Sequence, residues 1–383
     1  MAGKFNWISA IALAFVMILA PVSPRWGIGP DICSAQTPVH TMADRQEDRQ
    51  DDDGEHQWGF TVWGDNIRLG LSVELNGIYS DIEDDGVAAS GDLWDAYIGA
   101  IGFRLNATWT EWLSFDLLAE LEDIGKHDDS ATVTLSEAFV TLQHPQLPVY
   151  FIGGKRPLPF GVFEDRMISG PLTEEVYEIV DIGATLGVQI DALRSNLSLT
   201  LCEGQHIIEN LKQFNTHQFA EGRVQTDRID AYIFTFESEP IDDMLALALF
   251  FNSEPGDDRR NETIGAAVTW NLLDVAVDVE YITALKRESG KNGEQNLETA
   301  WVLGIAYQPV EAIQTAVRYE HFDDDRGEQD QVVDFRYLAG LNYFINENIT
   351  VSFEYRHTEF EREEGSGAAD AVNEYRIQLA FEY

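Results

Sequence analysis

The chain has 383 residues, with 25 Lys and Arg against 67 Asp and Glu and a formal net charge of −42. That balance excludes the basic footprint on which nucleic-acid binding depends, and the length allows two soluble domains or one large barrel. At physiological salt a negative field reaches about 8 Å, so it either keeps a surface soluble or gathers cations at a pore mouth.

From the N-terminus, residues 1–35 read as a secretory signal peptide. Lys4 gives the positive start, and "WISAIALAFVMILA" gives an apolar core shorter than a membrane helix needs. "CSA" before Gln36 suits cleavage after Ala35, with "APVSP" as a rival site. Cleavage after Ala35 removes Cys33 and leaves Cys202 alone, which excludes an intrachain disulfide. Residues 36–57, with "DRQEDRQDDDGEHQ", hold too little apolar surface to fold alone and read as a flexible acidic periplasmic segment.

Residues 58–383 carry a different signal. "RLGLSVELNGIY" puts Leu69, Leu71, Val73 and Leu75 on one face and Arg68, Ser72, Glu74 and Asn76 on the other. That alternation predicts a strand with one apolar and one polar side. It recurs in "LSFDLLAEL", "VAVDVEY", "IQTAVRYEH", "TVSFEYRH" and "YRIQLAFEY". Short turns fall near 108–112, 144–148, 191–195, 238–243, 271–274, 308–312 and 344–348. Longer polar segments fall near 81–92, 124–131, 156–182, 203–227, 252–261, 286–298, 322–331 and 361–372. Fifteen connections that alternate short and long predict an all-β fold: a transmembrane antiparallel up-and-down β-barrel of about sixteen strands, with short periplasmic turns and long extracellular loops. Such a barrel sits in outer-membrane lipid of a Gram-negative bacterium. Trp94, Trp109, Trp112, Trp270, Trp301, Tyr307, Tyr319, Tyr337, Tyr343 and Tyr355 suit aromatic girdles, as well as ordinary strand preference.

The third long segment, "GGKRPLPFGVFEDRMISGPLTEEV", is neither helical nor a hairpin. Pro157, Pro159 and Pro171 restrict its backbone, and Gly161 and Gly170 allow bends. It folds either into the lumen or over the rim. In the lumen, Phe160, Phe163 and Met167 would anchor it to the wall, and Arg166 with its acidic neighbours would face the water column. "EAFVTLQHPQLPVYFIGGKRPLPFGVFEDRMISGPLTEE" resembles the segment that marks the LbtU-family siderophore porins. The resemblance covers roughly 135–176. It implies an outer-membrane channel that passes ferric siderophore without a plug domain. The matched positions are Lys155, Pro159, Phe160, Gly161, Phe163, Ser169, Pro171, Leu172, Thr173 and Glu175. With Arg156, Glu164, Asp165 and Arg166 they make up the expected pore-constriction loop.

Parity places a ladder of charges opposite the apolar faces: Arg68 and Glu74, then Arg318, Glu320, Arg336, Glu354, Arg356, Glu374 and Arg376. These cannot face lipid, where a central Arg costs about 2–4 kcal/mol, so they line the lumen. They either stiffen the wall as cross-strand ion pairs or form an arginine track facing an acidic loop, which would suit a carboxylate-rich ferric chelate. "LAFEY" resembles the terminal signal read by the barrel-assembly machinery, here closed by Tyr383 instead of Phe.

The eight histidines show no metal spacing, and His206 and His217, in a long loop, read as solvated. "SDIEDDG" and "DDDRGEQDQ" resemble cation loops only in composition. Neither a cofactor nor catalytic residues are expected. The leading reading is a channel for ferric siderophore or a similar small polar solute. A general cation-preferring or phosphate-type porin, a closed structural barrel and a lipase-type enzyme are the alternatives. A homotrimer is among the assemblies such a barrel allows.

Overall fold

The computed structural model describes residues 60–62, 66–83, 93–127, 131–214, 227–290, 295–325, 332–361 and 371–383. The expected signal peptide, the acidic segment 36–57, His217 and much of the two acidic loop runs lie outside the described residues.

A three-residue strand, β1 (Phe60–Val62), pairs antiparallel with β2 (Ile67–Glu83). The chain then runs through β3 (Leu93–Thr110), β4 (Leu113–Ile124), β5 (Thr132–Gln143), β6 (Val149–Pro157), β7 (Val180–Ile190) and β8 (Ser195–Glu203). It continues through β9 (Ile229–Ile241), β10 (Leu245–Glu254), β11 (Asn261–Leu272), β12 (Val275–Lys286) and β13 (Thr299–Val310). It ends with β14 (Ile313–Asp323), β15 (Val333–Asn346), β16 (Ile349–Phe360) and β17 (Ala371–Glu382). Each strand from β2 onward pairs antiparallel with the next, and β17 returns to β2. The result is a closed sixteen-stranded barrel. Tyr383 completes the seam, exchanging two 2.8 Å backbone hydrogen bonds with Leu71.

Closure removes the free edges that would expose unpaired peptide groups to lipid. The period-two pattern becomes an outside and an inside. Leu71, Leu75, Val279, Leu303, Val317, Phe353 and Leu379 are exposed on the outer face. Arg318, Glu320, Arg336 and Glu354 point inward and are buried. A closed barrel with an apolar exterior and a charged interior is a membrane-spanning one. Its exterior carries a continuous aromatic band toward the long-loop end. Trp301, Tyr319 and Phe335 pack in series, as do Tyr337, Tyr355, Tyr375, Tyr79 and Trp94. Trp109, Trp112, Trp270 and Tyr343 are exposed toward the short-turn end. The strand count and the alternation of turns and loops agree with the sequence expectation.

Two short helices fill part of the interior: α1 (Leu172–Tyr177), between β6 and β7, and α2 (His206–Gln213), between β8 and β9. Together with Leu158 and Phe160 they bury an apolar core against inward Ile233, Phe250, Ile282 and Phe322. The sequence expectation had Phe160, Phe163 and Met167 anchoring the loop to the wall, but it gave the inner face of the strands no apolar residues to receive them and no second helix. Each fully buried side chain of this size contributes about 1.5–3 kcal/mol.

Leu303→Arg, on the outer face of β13, should cost about 2–4 kcal/mol in a reversible folding titration into lipid vesicles. The inward substitution Ala306→Ser should cost less than half as much.

Candidate functional site

The segment between β6 and β7 lies inside the barrel and is fastened to the inner wall along its whole length. Gly161 has φ of 93°, a conformation glycine adopts without strain. A Cβ there would meet the Phe163 ring at 2.1 Å. The turn carries Phe160 into the apolar core, where it sits 5.1 Å from the Phe250 ring centroid. Phe163 packs against the same core, and Met167 packs on Ala276, Ala306 and Ala316. Pro159 offers its carbonyl to the Thr235 hydroxyl, and Pro171 is buried at the start of α1.

Backbone N–H groups in a loop of this kind have no strand partner and must find acceptors. Buried glutamates of the wall supply them. Glu280 accepts from Val162 N–H at 2.7 Å and from the Thr173 hydroxyl at 2.6 Å. Glu354 accepts from Ser169 N–H at 2.8 Å and also from the Ser169 hydroxyl. Glu320 accepts from Leu172 N–H at 3.2 Å. The α2 helix is held in the same way, with Glu254 accepting from Ile207 and Ile208 N–H at 3.3 and 3.1 Å. The sequence reading named Glu320 and Glu354 but missed Glu254 and Glu280. Both stand at inward positions on strands whose other inward residues include Phe250 and Ile282, and that mixture was the available signal.

Arg318 is the centre of the fastening. It is 5% exposed. Its guanidinium reaches Asp165 at 2.9 Å and Glu320 at 2.6 Å. It donates to the carbonyls of Ser169 and Gly170 at 2.6 and 2.9 Å. Arg336 meets Glu175 at 2.8 Å, and Arg356 lies 3.8 Å from the same carboxylate while pairing with Glu374. Arg376 bridges Glu374 at 3.3 Å and Glu354 at 4.0 Å. Arg166 pairs with Asp278 at 2.9 Å and lies 3.7 Å from Glu164.

Three sequence expectations need correction. Arg166 and Asp165 do not face the water column; both are drawn into ion pairs with wall residues, because a charge this deep needs a partner. Lys155 and Arg156 belong to β6 and not to the loop. Lys155 shares the outward face with Val149 and Phe151, while Arg156 points inward and donates to Thr185 at 2.8 Å. His206 is not solvated; it meets Asp181 at 2.9 Å. Arg68 stands near the start of β2, and Glu74 accepts from Gln378 at 3.2 Å.

Among the described residues Glu174, like Glu178, is a loop acid without an ion-pair cation. Burial first, then the nearby Glu178 carboxylate, push it up to about 8. Burial likewise raises Asp165 to about 7, against the pull of Arg318.

No protein-family model matches the sequence, and no curated protein matches it. Solved structures do match the fold. An anion-selective porin from Comamonas acidovorans is similar with a TM-score of 0.60 and 9% identity, over 83% of this chain and 99% of that one. The outer membrane channel DcaP of Acinetobacter baumannii gives a TM-score of 0.61 and 11% identity, over 85% of this chain and 100% of its own. Salmonella typhi OmpF, in complex with daunomycin, gives 0.59 and 12%, over 85% and 100%. The fold is therefore that of the bacterial outer-membrane porins.

Two predictions follow from the loop's attachment. Arg318→Met leaves Asp165 buried without a cation and Glu320 with Arg336 alone, 3.9 Å away, which costs about 3–5 kcal/mol of docking; unit current through the refolded barrel should rise and become noisier. Glu174 holds its proton more tightly in the docked loop than at its ordinary value of 4.5. Its contribution to docking is thus full below about 4.5 and lost as the pH rises through about 8. Current noise should grow over that window, and Glu174→Gln should flatten the dependence.

Proposed function

We propose that the chain is an outer-membrane channel through which small polar solutes enter the periplasm by diffusion. The observation that carries this is the docked loop: it occupies one side of a closed barrel's interior and narrows it. Its fastenings run to β9, β12 and β14–β16, and among the described residues no hydrogen bond or ion pair joins the loop to β2–β5. In this reading the loop 158–179 is the constriction, and Arg318, Arg336, Glu320 and Glu354 act by holding it in place. The resemblance of residues 135–176 to the LbtU-family siderophore porins supports ferric siderophore as cargo. Assembly as a homotrimer and insertion through recognition of Tyr383 belong to the same reading.

The arginine track takes a different form here. Arg318 and Arg336 are engaged with Asp165 and Glu175, so they are not free to collect a carboxylate-rich chelate.

The test is single-channel current through refolded protein in a planar bilayer, with ferric siderophores added in turn. The reading expects steady conductance and concentration-dependent block by at least one chelate. Conductance that ignores every chelate would leave a general porin and remove the siderophore assignment. An insulating barrel would contradict the channel itself.

A further inference from the structure

The wall that the loop leaves uncovered has its own chemistry. Arg104, at an inward position of β3, is exposed, so water reaches this face. Its neighbours along the strand are small. Glu74 and Glu122 flank Ala100, while Ser72 and Glu120 flank Gly102. Three carboxylates therefore share a patch with no bulky side chain between them.

Their hydrogen-bond partners are neutral. Gln378 donates to Glu74 at 3.2 Å. Thr132 and Thr134 donate to Glu122 at 3.2 and 3.4 Å, and Ser136 donates to Glu120. Behind them Asn106 donates to Asp116 at 2.6 Å. Arg68 and Arg104 are the inward arginines among the described residues of β2–β5, and neither forms an ion pair with these groups. Neutral donors hold a carboxylate in place without cancelling its charge.

The arginine ladder on β14–β17 offers no counterweight. Arg318, Arg336, Arg356 and Arg376 are each matched by a carboxylate, from Asp165, Glu175, Glu320, Glu354 or Glu374. On the loop side Glu178, beside an open cavity of about 520 Å³, has no ion-pair partner among the described residues.

We infer that the passage selects by charge: cationic solutes cross in preference to anions, and Glu74, Glu120 and Glu122 set that preference. This rests on the channel reading and sharpens its cargo. A ferric chelate of net positive charge crosses more readily than one of the same size with net negative charge. The physical basis is ordinary: carboxylates lining a pathway with low-dielectric walls raise the local cation concentration and repel anions. Salt shortens the field to about 8 Å, which still covers a solute moving along this wall.

The test is the zero-current potential across a bilayer holding the refolded barrel in a KCl gradient. The expected result is a several-fold permeability preference for potassium over chloride. The combined Glu74→Gln, Glu120→Gln and Glu122→Gln variant should at least halve that ratio and keep a similar unit conductance. Glu122→Lys alone, close to the loop end of β4, is the milder variant for folding and should lower the ratio in the same direction. Anion preference in the unaltered protein, or an unchanged ratio in both variants, would overturn the inference. A barrel that inserts and carries no current would overturn the channel reading, and this inference with it.

Discussion

A guanidinium shut away from water must be surrounded by acceptors, and Arg318 imposes that condition on everything near it. Two carboxylates and two peptide carbonyls converge on it, from β14 itself and from the loop after β6. Asp165 can supply its share only if the chain between β6 and β7 folds inward. The energetic asymmetry explains why this holds. A buried ion pair adds little net stability over an apolar substitute, but one partner left alone costs several kcal/mol. The loop is thus held in place less by the attraction than by the penalty for leaving.

The rest of the interior follows from that placement. Once the loop is inside, its free N–H groups require acceptors, and the inward glutamates of β12, β14 and β16 provide them. Its apolar side chains require cover, and Ile233, Phe250, Ile282 and Phe322 provide that. The second inward helix, α2, packs on the first through Ile207, Ile208 and Leu211. The barrel therefore has two kinds of inner wall. One is a dock that buries the apolar side chains of the loop and pairs each of its arginines with a carboxylate. The other, on β2–β5, is wet and rich in unmatched carboxylate. A transverse field between a basic wall and an acidic loop, one form the sequence allowed, does not describe this interior.

Much of the fold was legible in the sequence because lipid makes the rule strict. A period of two with one apolar face can lie only one way in a membrane. Leu69 to Leu75 and Tyr375 to Phe381 therefore announced both their strands and their orientation. The turns were legible through lengths: 273–274 and 347–348 are too short to be anything else. What the pattern hid was the inner apolar core. Around Tyr232–Phe236 and Leu247–Phe251 both faces are apolar, so alternation weakens and the strand reads as ordinary β-propensity. Such a stretch is the mark of a strand that meets lipid outside and a docked loop inside. The partners of Asp165 and Arg166 were hidden for another reason. Loop acids and bases look solvated until the wall behind them is known, and Asp278 and Arg318 are more than a hundred positions away.

The central claim is that the loop rests against β14–β16 inside the conducting protein. A Cβ placed on Gly340 would lie 3.2 Å from Met167 Cγ, within the reach of a disulfide. The decisive measurement is unit conductance of a Met167→Cys, Gly340→Cys protein, with Cys33 and Cys202 replaced by Ser, before and after oxidation. The account predicts that the bond forms readily and that conductance is nearly the same in both states. A bond that fails to form, or a conductance that collapses when it does, would show that the loop of the working channel lies elsewhere.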